Sequence, residues 1–101
     1  MFVVRRSTHN PLLKPIADHT WESFASFNWC PVQDRKKVRS VYRAMSDMEY
    51  IHRKELRVST IGYAESTDGH NFEKRRPLIV PEYEWEKFGC EDPRVTKIGD
   101  T

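Results

Sequence analysis

The chain has 101 residues, with 17 lysines and arginines interspersed among 15 aspartates and glutamates for a net charge of +2. That length is one domain or part of one, and a chain of this size buries roughly 60–70% of its unfolded surface if it closes a core. Mixed charge sets up no one-signed field of the kind that holds duplex DNA or an anionic membrane, and no stretch approaches the ~20 apolar residues of a membrane span, so neither nucleic acid nor membrane is an expected partner.

In chain order, the opening Met1-Phe2-Val3-Val4-Arg5-Arg6 lacks the apolar segment of a secretory signal, which predicts a soluble, cytoplasmic protein. Apolar and β-branched residues then come in short runs at 24–30, 37–44, 56–66, 71–74, 78–80 and 94–98, separated by turn chemistry. This rhythm predicts an all-β fold. The basic groups Arg35-Lys36-Lys37-Val38-Arg39 and Arg75-Arg76 read as solvated charge at turns or strand edges. Residues 47–55 are charged, with irregularly spaced apolar residues, and read as a long loop rather than a core helix. Asp68-Gly69 suits a tight hairpin turn joining Ile61-Gly62-Tyr63-Ala64 to Phe72-Glu73-Lys74. Consecutive antiparallel strands at 37–44, 57–66 and 71–75 follow from that turn. Around Pro81 to Phe88, the aromatics Tyr83, Trp85 and Phe88 are expected to cover a sheet edge.

The turn Gly89-Cys90-Glu91-Asp92-Pro93-Arg94 puts two adjacent carboxylates beside a guanidinium. Gly89 allows an unusual backbone angle, while Pro93 fixes its own φ and pushes Asp92 toward an extended conformation. Such a turn handles a proton or an oxyanion, or is a plain acidic bend with a local ion pair. Beyond it, residues 95–101 read as a strand entering a Gly-Asp hairpin whose second strand is missing, so the chain is expected to be the N-terminal piece of something larger. Cys30 and Cys90 lack a CxxC spacing, and His9, His19, His52 and His70 share no ligand spacing, so no metal site and no disulfide are expected.

Four segments, Phe27-Asn28, Val41-Tyr42-Arg43, 59–69 and Gly89-Cys90-Glu91-Asp92-Pro93-Arg94-Val95, taken in this order, resemble glycoside hydrolase family 130, the mannoside phosphorylases and related mannosidases. The resemblance runs from Asn10-Pro11 onward. It implies one to two N-terminal blades of a five-bladed β-propeller, truncated, with residues 1–101 forming the N-terminal part of a single catalytic domain. It also implies inverting phosphorolysis of β-mannosides to mannose 1-phosphate, with Asp92 as general acid and no cofactor, inorganic phosphate being a co-substrate.

By the same resemblance, Asn28, Arg43, Asp47 and Glu91 bind the mannose-containing oligosaccharide, and Arg94 reaches the phosphate or the acid. The acid has to be protonated near neutral pH, a demand that Glu91 and Arg94 pull in opposite directions. A β-mannoside hydrolase of the same family is the alternative, because the groups that place phosphate or water lie downstream. The chain by itself is then expected to be inactive. A different class of reading is a non-catalytic carbohydrate-binding module whose copies pair their open edges into a homo-oligomer.

Overall fold

The structure is a computed structural model and describes residues 3–46, 58–86 and 89–99. The sequence folds into four strands, β1 (Ala25–Asp34), β2 (Lys37–Met45), β3 (Ser59–Ser66) and β4 (Glu73–Ile79), of which β3 is buried along nearly its whole length. They pair antiparallel in chain order to form one sheet. The fold is all-β, and this meander has the form of one propeller blade. Asp68-Gly69 sits in the β3–β4 turn, where the Asp68 carboxylate accepts the His70 and Asn71 backbone N–H groups, each at 2.8 Å. Those bonds hold Asp68 well below the usual carboxylate range, the Asn71 backbone having the largest effect.

Several boundaries differ from the sequence expectation. β1 runs on through Pro31 to Asp34, and β4 joins the runs at 71–74 and 78–80 through Arg75, Arg76 and Pro77. Both prolines lie on the outer strands, where a missing amide is tolerated. Residues 94–98 form no ladder. That segment lies along β1 instead, where the Val95 N–H donates to Cys30 Sγ at 3.4 Å and Lys97 pairs with Asp34 at 3.3 Å. Tyr83 and Trp85 cover no edge; Tyr83 precedes the 3-10 turn Glu84–Glu86 and Trp85 lies within it, and the two stack on each other at 5.4 Å and stay exposed. The expected loop at 47–55, which includes Asp47, and Phe88 lie outside the described residues.

The two faces of the sheet do different work. On one, Tyr42, Ala44 and Ala64 are buried under Trp21, which is carried by the 3-10 turn Thr20–Glu22. The rings of Trp21 and Tyr42 close so tightly over Gly62 that a Cβ there would lie 2.7 Å from each. Beneath them Glu22 is fully buried and accepts from Arg75 Nη1 at 2.8 Å and from the Tyr42 hydroxyl at 3.1 Å, while His19 Nδ1 meets its other oxygen at 2.7 Å. Burial, together with this anion, pushes the Tyr42 hydroxyl far above its ordinary range.

The other face has three zones. At the hairpin end, Arg39, Lys37 and Lys74 surround the Glu65 carboxylate, which also accepts from the Tyr63 hydroxyl at 2.9 Å. The middle is an apolar trough of about 340 Å³ lined by residues that include Val32, Val41, Leu78, Val95 and Ile98. At the far end, where β1 begins, β2 ends and β3 begins, lies the polar cluster described next.

Candidate active site

The 89–94 turn is fastened to the start of β3. Gly89 bridges Ser59 in parallel, and the Cys90 N–H donates to the Ser59 carbonyl at 2.8 Å. Glycine is required at 89 on two counts. Its φ is 109°, and a Cβ would stand 2.5 Å from the Ser59 carbonyl oxygen. Anchored there, the turn brings Glu91 and Asp92 to the edge of the sheet with side chains 45% and 61% exposed.

Three groups on the sheet receive the two carboxylates. Asn28 sits at the irregularity in β1 between Phe27 and Cys30, with φ 53°, and its Nδ2 donates to Asp92 Oδ1 at 2.6 Å. Arg43, near the end of β2, donates from Nη2 to Glu91 Oε1 at 2.7 Å, and its Nη1 lies 3.9 Å from Asp92 Oδ1. Its guanidinium lies 4.8 Å from the centre of the Phe27 ring, and its Nε donates to the Ser59 hydroxyl at 3.0 Å. A single cation, only 18% exposed, thus serves two carboxylates from a fixed position.

Asp92 itself departs from the sequence expectation. It is left-handed, with φ 52°, rather than extended. Aspartate tolerates that conformation better than most residues, and here the Asn28 amide holds the side chain in it. Asn28, Arg43, Glu91 and Asp92, named separately from sequence, form one connected cluster. Arg94 stays apart, exposed and donating to the Pro93 carbonyl at 2.7 Å. Ser59 and Phe27, which lie in segments of the family resemblance but were given no role from sequence, complete the setting of Arg43.

Burial, with Glu86 nearby, pushes the Cys90 thiol up, which disfavours the thiolate of the cysteine in the turn. Among the described residues, no group of three or more His, Cys, Asp or Glu is arranged to hold a metal ion, and no helix is long and apolar enough to cross a membrane.

The sequence pattern of the family described as β-1,4-mannooligosaccharide phosphorylase matches residues 4–101. The chain belongs to glycoside hydrolase family 130. It is 41% identical over 104 aligned positions to a β-1,2-mannobiose phosphorylase of Thermoanaerobacter sp. (strain X514), covering 97% of this chain and 34% of that protein. A 1,2-β-oligomannan phosphorylase of the same strain is 36% identical, with 97% of this chain and 33% of that protein covered. The chain therefore spans about a third of the length of these curated relatives.

Solved structures agree on the fold. One belongs to work on family 130 members that are glycoside hydrolases targeting β-1,2 mannosidic linkages in Candida mannan; it superposes with a TM-score of 0.68 at 32% identity, over 89% of this chain and 29% of that one. A glycosyl hydrolase from Bacteroides ovatus superposes with a TM-score of 0.61 at 30% identity, over 82% of this chain and 26% of that one.

Proposed function

We propose that these 101 residues are the N-terminal part of a catalytic propeller that phosphorolyses β-mannosides, with Asp92 as the acid. The observation that carries this reading is the meeting of Asn28 and Asp92 at 2.6 Å beside the Arg43–Glu91 pair, in a member of a mannoside phosphorylase family. Both curated relatives act on β-1,2-linked mannose, which favours that linkage as the substrate.

In the reaction, the bond between C1 of the mannosyl unit and the glycosidic oxygen breaks as phosphate oxygen bonds to C1 from the opposite face. The leaving oxygen receives a proton that originates on the Asp92 carboxyl. The products are mannose 1-phosphate with inverted configuration and the shortened saccharide. Asn28 and Arg43 keep the acid and Glu91 in fixed positions, and Glu91 accepts hydrogen bonds from sugar hydroxyls. No cofactor takes part, and phosphate is a co-substrate. Arg94 extends from the same turn and is the basic side chain there with no carboxylate partner among the described contacts, which suits it to an anion.

The match to a solved structure from work on family hydrolases supports a second reading, in which water replaces phosphate. Incubating the full-length protein with β-1,2-mannobiose, with and without inorganic phosphate, separates the two. Phosphate-dependent formation of mannose 1-phosphate supports the phosphorylase, free mannose at an equal rate without phosphate supports the hydrolase, and no turnover under either condition sinks both.

A further inference from the structure

Arg43 must hold one orientation if it is to keep two carboxylates apart and in place, yet an arginine side chain carries about 2 kcal/mol of rotamer entropy that opposes this. Its distal nitrogens face the carboxylates. What fixes the guanidinium plane is on its other sides: the Phe27 ring 4.8 Å from its centre and the Ser59 hydroxyl 3.0 Å from Nε.

Ser59 is 1% exposed, so its hydroxyl is shielded from competing water. The same residue accepts the Cys90 N–H through its backbone oxygen and bridges Gly89. The guanidinium and the turn that carries Glu91 and Asp92 are therefore referenced to a single residue at the start of β3. Because Arg43 pairs across the ladder with Ile61 and Met45 pairs with Ser59, Ser59 is the diagonal neighbour of Arg43 on that face.

We infer that Ser59 is a positioning residue of this site, its hydroxyl orienting the Arg43 guanidinium and its backbone locating the two carboxylates against it. The inference rests on the catalytic reading above. It separates the two tasks cleanly, because Ser59→Ala removes the hydroxyl while leaving the backbone contacts to Gly89 and Cys90 in place.

In the full-length protein, Ser59→Ala is expected to lower kcat about 10- to 100-fold, the scale of a ~1 Å misplacement, with KM for β-1,2-mannobiose little changed. In an Arg43→Lys background, which already lacks the Nε donor, the same substitution is expected to cost nothing further. The Arg43 Nε–H resonance is expected to exchange slowly in the unsubstituted protein and to be lost to exchange in Ser59→Ala. An unchanged kcat, a loss repeated in full in the Arg43→Lys background, or a persistent Nε–H signal overturns the inference. If the unsubstituted protein turns over no mannoside, the phosphorylase reading fails instead, and the Nε–H signal still decides whether Ser59 holds Arg43.

Discussion

Asn28 and Asp92, separated by 64 positions in the chain, both adopt left-handed backbones, φ 53° and 52°, at the point where their side chains meet at 2.6 Å. Asparagine and aspartate bear this conformation more readily than other non-glycine residues, and it persists where the surroundings fix it. The sheet irregularity at Asn28 and the Gly89 anchor supply that determination. An uncommon backbone conformation at both ends and a short polar contact thus coincide at one point.

Replacing Asp92 by asparagine keeps an oxygen that accepts the Asn28 N–H but leaves no proton to transfer. In the full-length protein Asp92→Asn is expected to lower turnover by about 10²–10⁴-fold with substrate affinity nearly intact. Glu91→Gln is expected to cost less. Steady-state kinetics on β-1,2-mannobiose with phosphate is the check, and a near-normal rate for Asp92→Asn removes the acid assignment.

At Gly89, alanine adds a Cβ 2.5 Å from the Ser59 carbonyl oxygen in a backbone with φ 109°. Backbone strain and overpacking act together, and the expected destabilisation is about 2 kcal/mol or more. Urea denaturation measures it, and the same variant should lose turnover because the carboxylates move with the turn. A stability change within the noise of the measurement would contradict the described bridge.

Glu22 is a buried anion whose partners remain after its removal. Glu22→Ala leaves Arg75, itself only 9% exposed, with the Lys14 carbonyl at 2.6 Å as its remaining hydrogen-bond acceptor among the described residues. Breaking a buried pair from one side typically costs about 3–5 kcal/mol, whereas exchanging both partners for apolar residues of similar volume is much milder. Denaturation of Glu22→Ala beside Glu22→Leu/Arg75→Met tests that ordering, and equal losses refute it.

Acid should loosen the hairpin end of the sheet. The Tyr63 hydroxyl, then Lys74 and Lys37, hold Glu65 down at about 2, against 4.5 for a free glutamate. Arg39 and Lys97 lower Asp34 in the same direction. A carboxyl whose folded pKa is depressed adds stability that is complete above its unfolded value and lost as pH falls through the folded one. The urea midpoint is therefore expected to hold near pH 7 and fall progressively from about pH 4.5 toward pH 2. Glu65→Gln should flatten that fall, and an unaltered slope would count against the assignment.

Strand content was legible because β-branched runs and turn residues alternate locally, and Asp68-Gly69 named its own hairpin. The extent of β1 and β4 was not, because a proline lacks the ladder amide and only the sheet order shows that Pro31 and Pro77 lie on outer strands, where it is tolerated. Arg43, Glu91, Asp92 and Asn28 were nameable by residue type and resemblance. Ser59 lies in a segment of the resemblance, but its role was not legible, since it depends on the diagonal pairing between β2 and β3, and residues 46–58 carry no turn signal that sets that register. The left-handed Asp92 escaped for a related reason: the effect of Pro93 is local, while the Asn28 contact that overrides it comes from 64 positions away.

The prolines on the outer strands have a consequence for how the protein is made. While a chain folds, exposed sheet edges invite another copy to add a strand. Pro31 offers no amide to such an intruder, nor does Pro77, and β4 adds Glu73, Lys74, Arg75 and Arg76 in succession. The two borders are thereby poor templates for a strand from a neighbouring copy.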